Sequence, residues 1–272
     1  MRTYKHLTLQ VFGLAGLGLT KSFLAIAALL FAFSAHAENM TIAAAADLKF
    51  AMDELVVSFK KANPNEGVSV IYGSSGHFFA QIQNGAPFDM FFSADIGFPR
   101  ELGKAGLAVG DPKPYALGRI VLWSSTMDVT KMTLASLADT KIERIAIANP
   151  KHAPYGKRAE EALRAAGIWD KVQPKLVFGE NIAQTAQYVS TGNAQVGIIA
   201  LSLAVNPELA SKGGYWLIPD KLHQPLEQGY VTTKRAASNP TAKRFSDYMS
   251  SKPARAVMTK YGFVLPDEVS GK

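Results

Sequence analysis

Four short segments of this chain lie where a strand is expected to end and a helix to begin. They are residues 46–47, 74–76, 153–156 and 181–182. The first turn of a helix carries backbone N–H groups that have no partner inside the helix, together with the positive end of the helix dipole. Ser75 and Tyr155 add hydroxyl donors. Such groups suit a small anion held by uncharged donors, although ordinary helix caps of an α/β protein have the same sequence pattern.

Catalytic motifs are weak by comparison. Residues 73–77 are Gly-Ser-Ser-Gly-His and lack the Gly-x-Ser-x-Gly spacing of a nucleophile elbow. A hydrolase built on Ser75 and His77 would need a base two residues from its nucleophile, which is awkward at a helix start. His152 is expected to be a surface or capping residue rather than a metal ligand. The chain has no His-Glu-x-x-His, Walker or Gly-x-Gly-x-x-Gly motif, so we expect a binding protein without a cofactor rather than an enzyme.

The first 37 residues have the features of a secretory signal peptide. Arg2, Lys5 and Lys21 are their only charged residues, the run 23–33 is apolar, and residues 35–37 are Ala-His-Ala, a cleavage signal. The apolar run is shorter than the roughly 20 residues needed to span a bilayer. Removal of residues 1–37 would lower the formal net charge from +7 to +4. We therefore expect export to the periplasm.

Composition excludes several classes of protein. The 272 residues include no cysteine, which excludes a disulfide scaffold, a Cys-ligated metal site, a thiol nucleophile and a lipid-modified cysteine. Hydrophobic residues make up 48% and charged residues 19%, as in a globular protein. The basic residues are scattered as pairs, which indicates solvated helix faces rather than a nucleic-acid surface.

Strands and helices alternate along the chain. The apolar run 40–46 is followed by a 3.6-residue apolar period with Asp47 in the N-cap position. A strand at 68–72, a turn at 73–76 with a second helix, and a strand at 88–94 come next. Two strand–helix units followed by a third strand predict a parallel sheet.

The second part of the chain repeats this order with different residues. Strands are predicted at 119–123, 144–148, 175–178, 195–201, 215–218 and 229–233. Helices are predicted at 154–166, at 181–190 with Asn181 as its N-cap, and from Pro240. We therefore predict an α/β fold of two lobes, with one lobe at 38–123 plus 224–272 and the other at 124–223. In open parallel sheets ligands bind beyond the carboxyl ends of the strands, which brings the four turns together.

Several motifs resemble one known family in both order and spacing. They are AAAADL at 43–48, YGSSG at 72–76, GAPFD at 85–89, FSAD at 92–95, NP-x-HAPYG at 149–156, GIIA at 197–200 and YGF at 261–263. Together they resemble the periplasmic molybdate-binding proteins of ABC transporters along essentially the whole mature chain. The resemblance implies a type II periplasmic binding protein fold, in which each lobe has a mainly parallel sheet flanked by helices and an oxyanion is closed in the cleft between the lobes.

The same resemblance implies the ligand residues. The positions that match the family's ligands are Asp47 and Ser75 in the first lobe, and Tyr155, Ile182 and Ala200 in the second. Their neighbours Ser74, Gly76 and Asn181 are secondary candidates. Molybdenum would be held through the oxygen atoms of the anion, with no direct protein ligand to the metal.

Two of these positions depart from the family pattern. Many members have Ser or Thr in place of Asp47, and one branch has Tyr in place of Ala200, for which Tyr155 can substitute. An ionised carboxylate close to a dianion is repelled by several kcal/mol in a partly dry site. We predict that Asp47 turns its carboxylate away, caps its own helix and offers at most its backbone N–H. The alternative is direct carboxylate coordination to an expanded metal centre, as in some archaeal relatives.

The resemblance also implies a function and a partner. Members capture molybdate, usually also tungstate, and deliver it to a membrane ABC permease. The main alternative is a binding protein for another tetrahedral oxyanion such as sulfate, thiosulfate or phosphate. We expect the protein to act as a monomer and to bind no nucleic acid.

Overall fold

The strands of this protein form two five-stranded sheets. The computed structural model describes residues 39–269, so the expected signal peptide lies outside the described residues. The strands are β1 Asn39–Ala45, β2 Gly67–Gly73, β3 Met90–Ser93, β4 Ala108–Gly118, β5 Ile120–Ser124, β6 Ile145–Ala148, β7 Leu176–Gly179, β8 Val196–Ala200, β9 Gly214–Leu217 and β10 Leu226–Thr233. The α-helices are α1 Lys49–Ala62, α2 Ser75–Gln83, α3 Gly97–Lys104, α4 Pro154–Ala165, α5 Trp169–Val172, α6 Ile182–Ser190, α7 Leu201–Ala204, α8 Pro207–Ala210, α9 Pro240–Met249, α10 Lys252–Lys260 and α11 Pro266–Val269.

Both sheets are mixed, and each contains one reversed strand. The first has the order β2-β1-β3-β10-β4, and β10 is antiparallel to both of its neighbours. The second has the order β7-β6-β8-β5-β9, and here β5 is the reversed strand. Four of the five strands in each sheet therefore share a direction, and the mainly parallel sheets predicted from the sequence are confirmed.

Helices cover the sheets and bury their apolar side chains. On one face of the first sheet, Met40 and Ile42 belong to an apolar core that includes residues of α1, α9 and α10. On the other face, Ala43 and Phe91 pack with residues of α2 and α3. The second sheet has its own core, which includes Trp123. We call the first sheet with its helices the first lobe, and the second sheet with its helices the second lobe. Within residues 39–269, no helix combines the length and apolarity that a membrane crossing requires.

The chain passes between the two sheets twice. The first crossing is at Arg119, between β4 and β5, and the second lies in the segment 218–225. The expected boundary near 124 placed β5 in the first lobe, and this is corrected, because β5 pairs with β8 and β9 of the second sheet. A short, fully buried apolar strand does not reveal from its own residues which sheet it joins.

Candidate functional site

Four turns from the two lobes meet around one small cavity. The cavity has a volume of about 10 Å³, close to the minimum that holds one water molecule. The lining residues come from the ends of β1, β2 and β3 and from the starts of the helices that face them: Ala45, Ala46, Asp47, Gly73, Ser74, Ser75, Ala94, Ala153, Pro154, Tyr155 and Ile182. No lysine or arginine is among them, so the polar groups at this cavity are hydroxyl, backbone and carboxyl groups.

Asp47 lies at the centre of a buried hydrogen-bonded network that joins the lobes. Its Oδ2 accepts from the Tyr155 hydroxyl at 3.0 Å and from Gln228 Nε2 at 2.9 Å. Gln228 Nε2 also lies 3.0 Å from the Tyr155 hydroxyl oxygen, to which it donates. The Ser202 hydroxyl donates to the backbone carbonyl of Asp47 at 2.7 Å. The other carboxyl oxygen, Oδ1, is buried and has no hydrogen-bond partner among the described residues.

Burial changes the protonation of Asp47. Desolvation raises the pKa of its carboxyl from 3.8 to about 7, although Gln228, Tyr155 and the backbone N–H groups of Asp47 and Leu48 oppose the rise. No neighbouring cation contributes. Burial and the nearby Asp47 also raise the pKa of Tyr155 well above its ordinary value, so its phenol stays protonated and remains a donor. Close to neutral pH the Asp47 carboxyl is therefore protonated in a large fraction of the molecules.

The predicted N-cap role of Asp47 is wrong. The chain enters a short 3-10 helix at Ala46–Leu48, and α1 begins only at Lys49. The cap residues of these two helices are Ala45 and Leu48, and neither helix has a side-chain cap hydrogen bond. The carboxyl group instead accepts hydrogen bonds from the Tyr155 hydroxyl and from Gln228 Nε2.

Ser75 is the first residue of α2 and is almost completely buried. Its Oγ accepts the backbone N–H of Ala94 at 3.0 Å, which ties the start of α2 to the end of β3. A serine hydroxyl is one donor and two acceptors. Its hydrogen therefore remains able to donate at the cavity that Ser75 lines.

Ser74 and Gly76 both contact the second lobe, and of the two only Ser74 also lines the small cavity. Both donate to the backbone carbonyl of His152, Ser74 through its hydroxyl at 2.6 Å and Gly76 through its N–H at 2.9 Å. Ser74 Oγ also lies 3.0 Å from His152 Nδ1. The Ser74 hydroxyl has one hydrogen, which it donates to the His152 carbonyl oxygen. His152 Nδ1 must therefore be the donor in its contact with Ser74 Oγ. Burial lowers the pKa of His152, so the ring is neutral and Nε2 keeps its lone pair.

Tyr155 and Ile182 are in the first turns of two second-lobe helices. Tyr155 follows Pro154 at the start of α4, and Ile182 is the first residue of α6. The predicted cap Asn181 is confirmed, since its side chain accepts from the N–H groups of Ala183 and Gln184. That arrangement leaves the Ile182 N–H as a first-turn donor at the cavity.

Three of the predicted residues, Gly76, Asn181 and Ala200, do not line the small cavity. Asn181 lines a larger cavity of about 510 Å³, which shares Ala46 with the small one. Ala200 ends β8, pairs with Ile120 and is not among the residues that line the small cavity. The cavity thus brings together five residues of the expected set, which are Asp47, Ser74, Ser75, Tyr155 and Ile182.

Gln228 and Gly118 belong to the same network but were not predicted. Gln228 is fully buried in β10, and nothing in the strand sequence LEQGYVTT marks this residue as a partner of Asp47. Gly118 ends β4, and a Cβ there would collide with the Tyr155 hydroxyl and with Gln228 Nε2. The close approach of these two side chains to the backbone therefore requires glycine at this position.

The hydrolase alternative fails on geometry. His77 Nδ1 lies 3.0 Å from Glu180 Oε1, whereas the hydrogen bond of Ser75 Oγ is to Ala94. Among the described residues, no hydrogen bond joins Ser75 to His77. The nucleophile and base required for this chemistry are therefore not in contact.

Sequence comparison identifies the family to which this two-lobed architecture belongs. The profile of a family described as "Bacterial extracellular solute-binding protein" matches residues 40–264, nearly all of the described chain. The chain belongs to this solute-binding family. This solute-binding protein is therefore a transport component rather than an enzyme, as expected from the sequence.

Individual relatives give a more specific comparison than the family profile does. The solute-binding protein is 36% identical over 248 residues to the molybdate-binding protein ModA of Azotobacter vinelandii, an alignment that covers 91% of this chain and 98% of the relative. The solved structure named as the periplasmic molybdate-binding protein of that organism matches with a TM-score of 0.78 and 32% identity, covering 84% of this chain and 100% of that one. The sulfate-binding protein SubI of Mycobacterium tuberculosis matches with a TM-score of 0.71 at 17% identity, covering 85% and 88%, a similarity of fold alone.

Proposed function

We propose that this protein captures molybdate, and also tungstate, outside the cytoplasm and delivers the anion to the membrane permease of an ABC importer. The observation that carries the proposal is the cavity between the lobes, which is lined by uncharged donors and by no cationic side chain. Helix N-termini and hydroxyl groups can hold a dianion without a salt bridge. The names of the two similar Azotobacter vinelandii proteins agree with this anion.

Ligand binding is proposed to occur by closure of the lobes around the anion. The first lobe offers the Ser75 hydroxyl at the start of α2. The second lobe offers the Ile182 N–H, and it offers the Tyr155 hydroxyl once the hydrogen of that group turns from Asp47 Oδ2 to the anion. With a cavity of about 10 Å³, the lobes are drawn together in this conformation, so entry of an anion requires them to separate, as in hinge closure of other binding proteins. Ala200 was expected as a ligand residue from the resemblance, but it does not line the cavity. It would contact the anion only in a different arrangement of the lobes.

Asp47 is proposed to bind the anion in its protonated form. Its unpartnered Oδ1 is buried at the cavity, and a protonated carboxyl group can donate one hydrogen bond. At an effective dielectric constant of about 20, two like unit charges 4 Å apart repel each other by about 4 kcal/mol. An ionised Asp47 would repel each of the two charges of a dianion at that distance by this amount. The raised pKa avoids most of this cost near neutral pH and makes direct coordination of molybdenum by a carboxylate unnecessary.

The remaining features of the proposal concern location and assembly. The protein is proposed to lose residues 1–37 on export and to act in the periplasm as a monomer that binds no nucleic acid. The lobes are proposed to move as units, with 38–118 and 224–272 in one and 119–223 in the other.

Elemental analysis and a ligand panel test the proposal together. Protein purified from its native host without added anion should contain molybdenum or tungsten by mass spectrometry. Thermal shift with molybdate, tungstate, sulfate, thiosulfate and phosphate should give the largest rise in Tm with the first two, because ligands that bind only the folded state stabilise it. A larger rise with sulfate, thiosulfate or phosphate would replace molybdate with that anion. No rise with any of the five would contradict the proposal.

A further inference from the structure

Two histidines and a glutamate from opposite lobes meet outside the small cavity. His77 lies on α2 of the first lobe, whereas His152 and Glu180 precede α4 and α6 of the second. Glu180 Oε1 is 3.0 Å from His77 Nδ1 and 3.7 Å from His152 Nε2. The two imidazole rings stack with their centroids 3.9 Å apart. One ligand atom from each residue lies within 4.8 Å of the others, and none of the three residues lines the small cavity.

The hydrogen-bonding state of His152 leaves a ligand atom facing this cluster. Its Nδ1 donates to Ser74 Oγ, which fixes the tautomer and leaves a lone pair on Nε2. Nε2 lies 3.7 Å from Glu180 Oε1, so the lone pair of the neutral ring and a carboxylate oxygen are close enough to bind one cation together. Histidines that bind metals commonly have their second nitrogen held by such a hydrogen bond.

The donor set is one that divalent transition metals prefer. Two imidazole nitrogens and one carboxylate oxygen form a recurrent zinc site, in which water completes the coordination. The side chains of His77 and Glu180 are 46% and 57% exposed, so an ion can reach them from solvent. We propose that His77, His152 and Glu180 form a binding site for Zn²⁺ or a similar divalent transition metal that connects the two lobes.

The position of the site has a consequence for lobe closure. Because His77 is on one lobe and its two partners are on the other, the complete ligand set exists only when the lobes are together. A metal bound there stabilises the closed arrangement and so raises the affinity for any anion that requires closure. The anion raises the affinity for the metal by the same factor. The gain in anion affinity depends on the proposed function, whereas metal binding itself does not.

Calorimetry with zinc chloride tests the site directly. The untagged protein should bind one Zn²⁺, and His77→Ala and Glu180→Gln should each weaken that binding at least tenfold. Both side chains are at the surface, so the folded state should tolerate the changes, which circular dichroism checks. His223→Ala is the matched control, since His223 lies outside the cluster, and should leave the affinity unchanged. Absence of Zn²⁺ binding, or an equal loss in the control, would overturn the proposal.

A second titration tests the connection to the anion. Molybdate affinity should rise at least fivefold with saturating Zn²⁺ in the original protein, and this rise should be absent from His77→Ala. If Zn²⁺ binds but molybdate affinity does not change, the effect on closure is refuted while the metal site stands. If molybdate fails to bind with and without Zn²⁺, the proposed function is refuted instead.

Discussion

The Tyr155 hydroxyl donates a hydrogen bond to Asp47 Oδ2 at 3.0 Å. This bond connects the first turn of α4 in the second lobe to the segment that follows β1 in the first lobe. Both groups are buried and neither is paired with a cation. This contact places a carboxyl group of raised pKa where the lobes meet. It therefore links the protonation of one residue to the closed arrangement of the protein.

Removal of the two hydroxyl groups at the cavity should weaken anion binding. In a Ser75→Ala, Tyr155→Phe double variant, each lost hydrogen bond to a charged ligand corresponds to about 1.5–3 kcal/mol. Molybdate affinity should therefore fall by roughly 100-fold or more, as measured by isothermal titration calorimetry.

A matched variant separates this effect from a general loss of stability. Ser211→Ala with Tyr215→Phe removes the same two groups from exposed positions of the second lobe and should leave the affinity unchanged. If the cavity variant keeps its affinity while folded, Ser75 and Tyr155 are not ligands.

Stability should fall with rising pH because of Asp47. Well below the ordinary pKa of 3.8 the carboxyl is protonated in both folded and unfolded chains, so it makes no difference to the free energy of unfolding. Between about pH 4 and 7 the folded state keeps a proton that the unfolded state has lost, so the free energy of unfolding declines as pH rises and then levels off. At about 1.4 kcal/mol per pKa unit, the change from 3.8 to about 7 corresponds to about 4 kcal/mol.

Asp47→Asn isolates this contribution. Asparagine does not titrate and can still accept a hydrogen bond from Tyr155. Urea unfolding of both proteins at pH 4, 6 and 8 should show a stability difference that increasingly favours the variant at higher pH. A pH-independent difference would mean that Asp47 titrates normally.

Molybdate affinity should follow the same protonation. If only the protonated form of Asp47 binds well, a pKa of about 7 makes binding about tenfold weaker at pH 8 than at pH 6. Calorimetry on the Asp47→Asn variant should give nearly equal affinities at the two pH values. Equal pH dependence in both proteins would show that the carboxyl group has no part in recognition.

Gly76→Ala should hinder closure. A Cβ at this position would lie 2.6 Å from the backbone carbonyl oxygen of His152 on the opposite lobe, closer than real contacts permit. Because this collision arises only when the lobes are together, molybdate affinity should fall at least tenfold while the urea midpoint changes little.

Gly103→Ala provides the control for the glycine variant. Gly103 is in α3, and no atom lies within 4 Å of a Cβ placed there. It should keep the original affinity and gain at most about 1 kcal/mol of stability. Comparable affinity losses in the two variants would point to a general effect of alanine rather than to lobe contact.

The convergence of the cavity residues could be predicted from the sequence because parallel strands place the following helix starts at one edge of a sheet. Ser75, Tyr155 and Ile182 follow from that rule, and Asn181 follows from the preference of asparagine for the N-cap. The fold was predictable for the same reason.

Other features depend on contacts between distant residues. Gln228 contacts Asp47 across 181 positions of sequence, and no local pattern indicates that pairing. Residues 108–118 form β4 although they include Pro112 and Pro114, which normally argue against a strand. The position of this strand at the edge of its sheet explains why the prolines are accommodated.

Gly118 places the connection between the halves of the molecule beside the groups that hold Asp47. The chain turns from β4 into β5 at this point, and the absence of a side chain lets Tyr155 and Gln228 pack against the backbone. Directed evolution toward a different anion would therefore change two properties at once if it altered Gly118. A bulkier residue would alter selectivity and the ease of the opening movement in a single step, so variants that adjust one without the other should arise elsewhere.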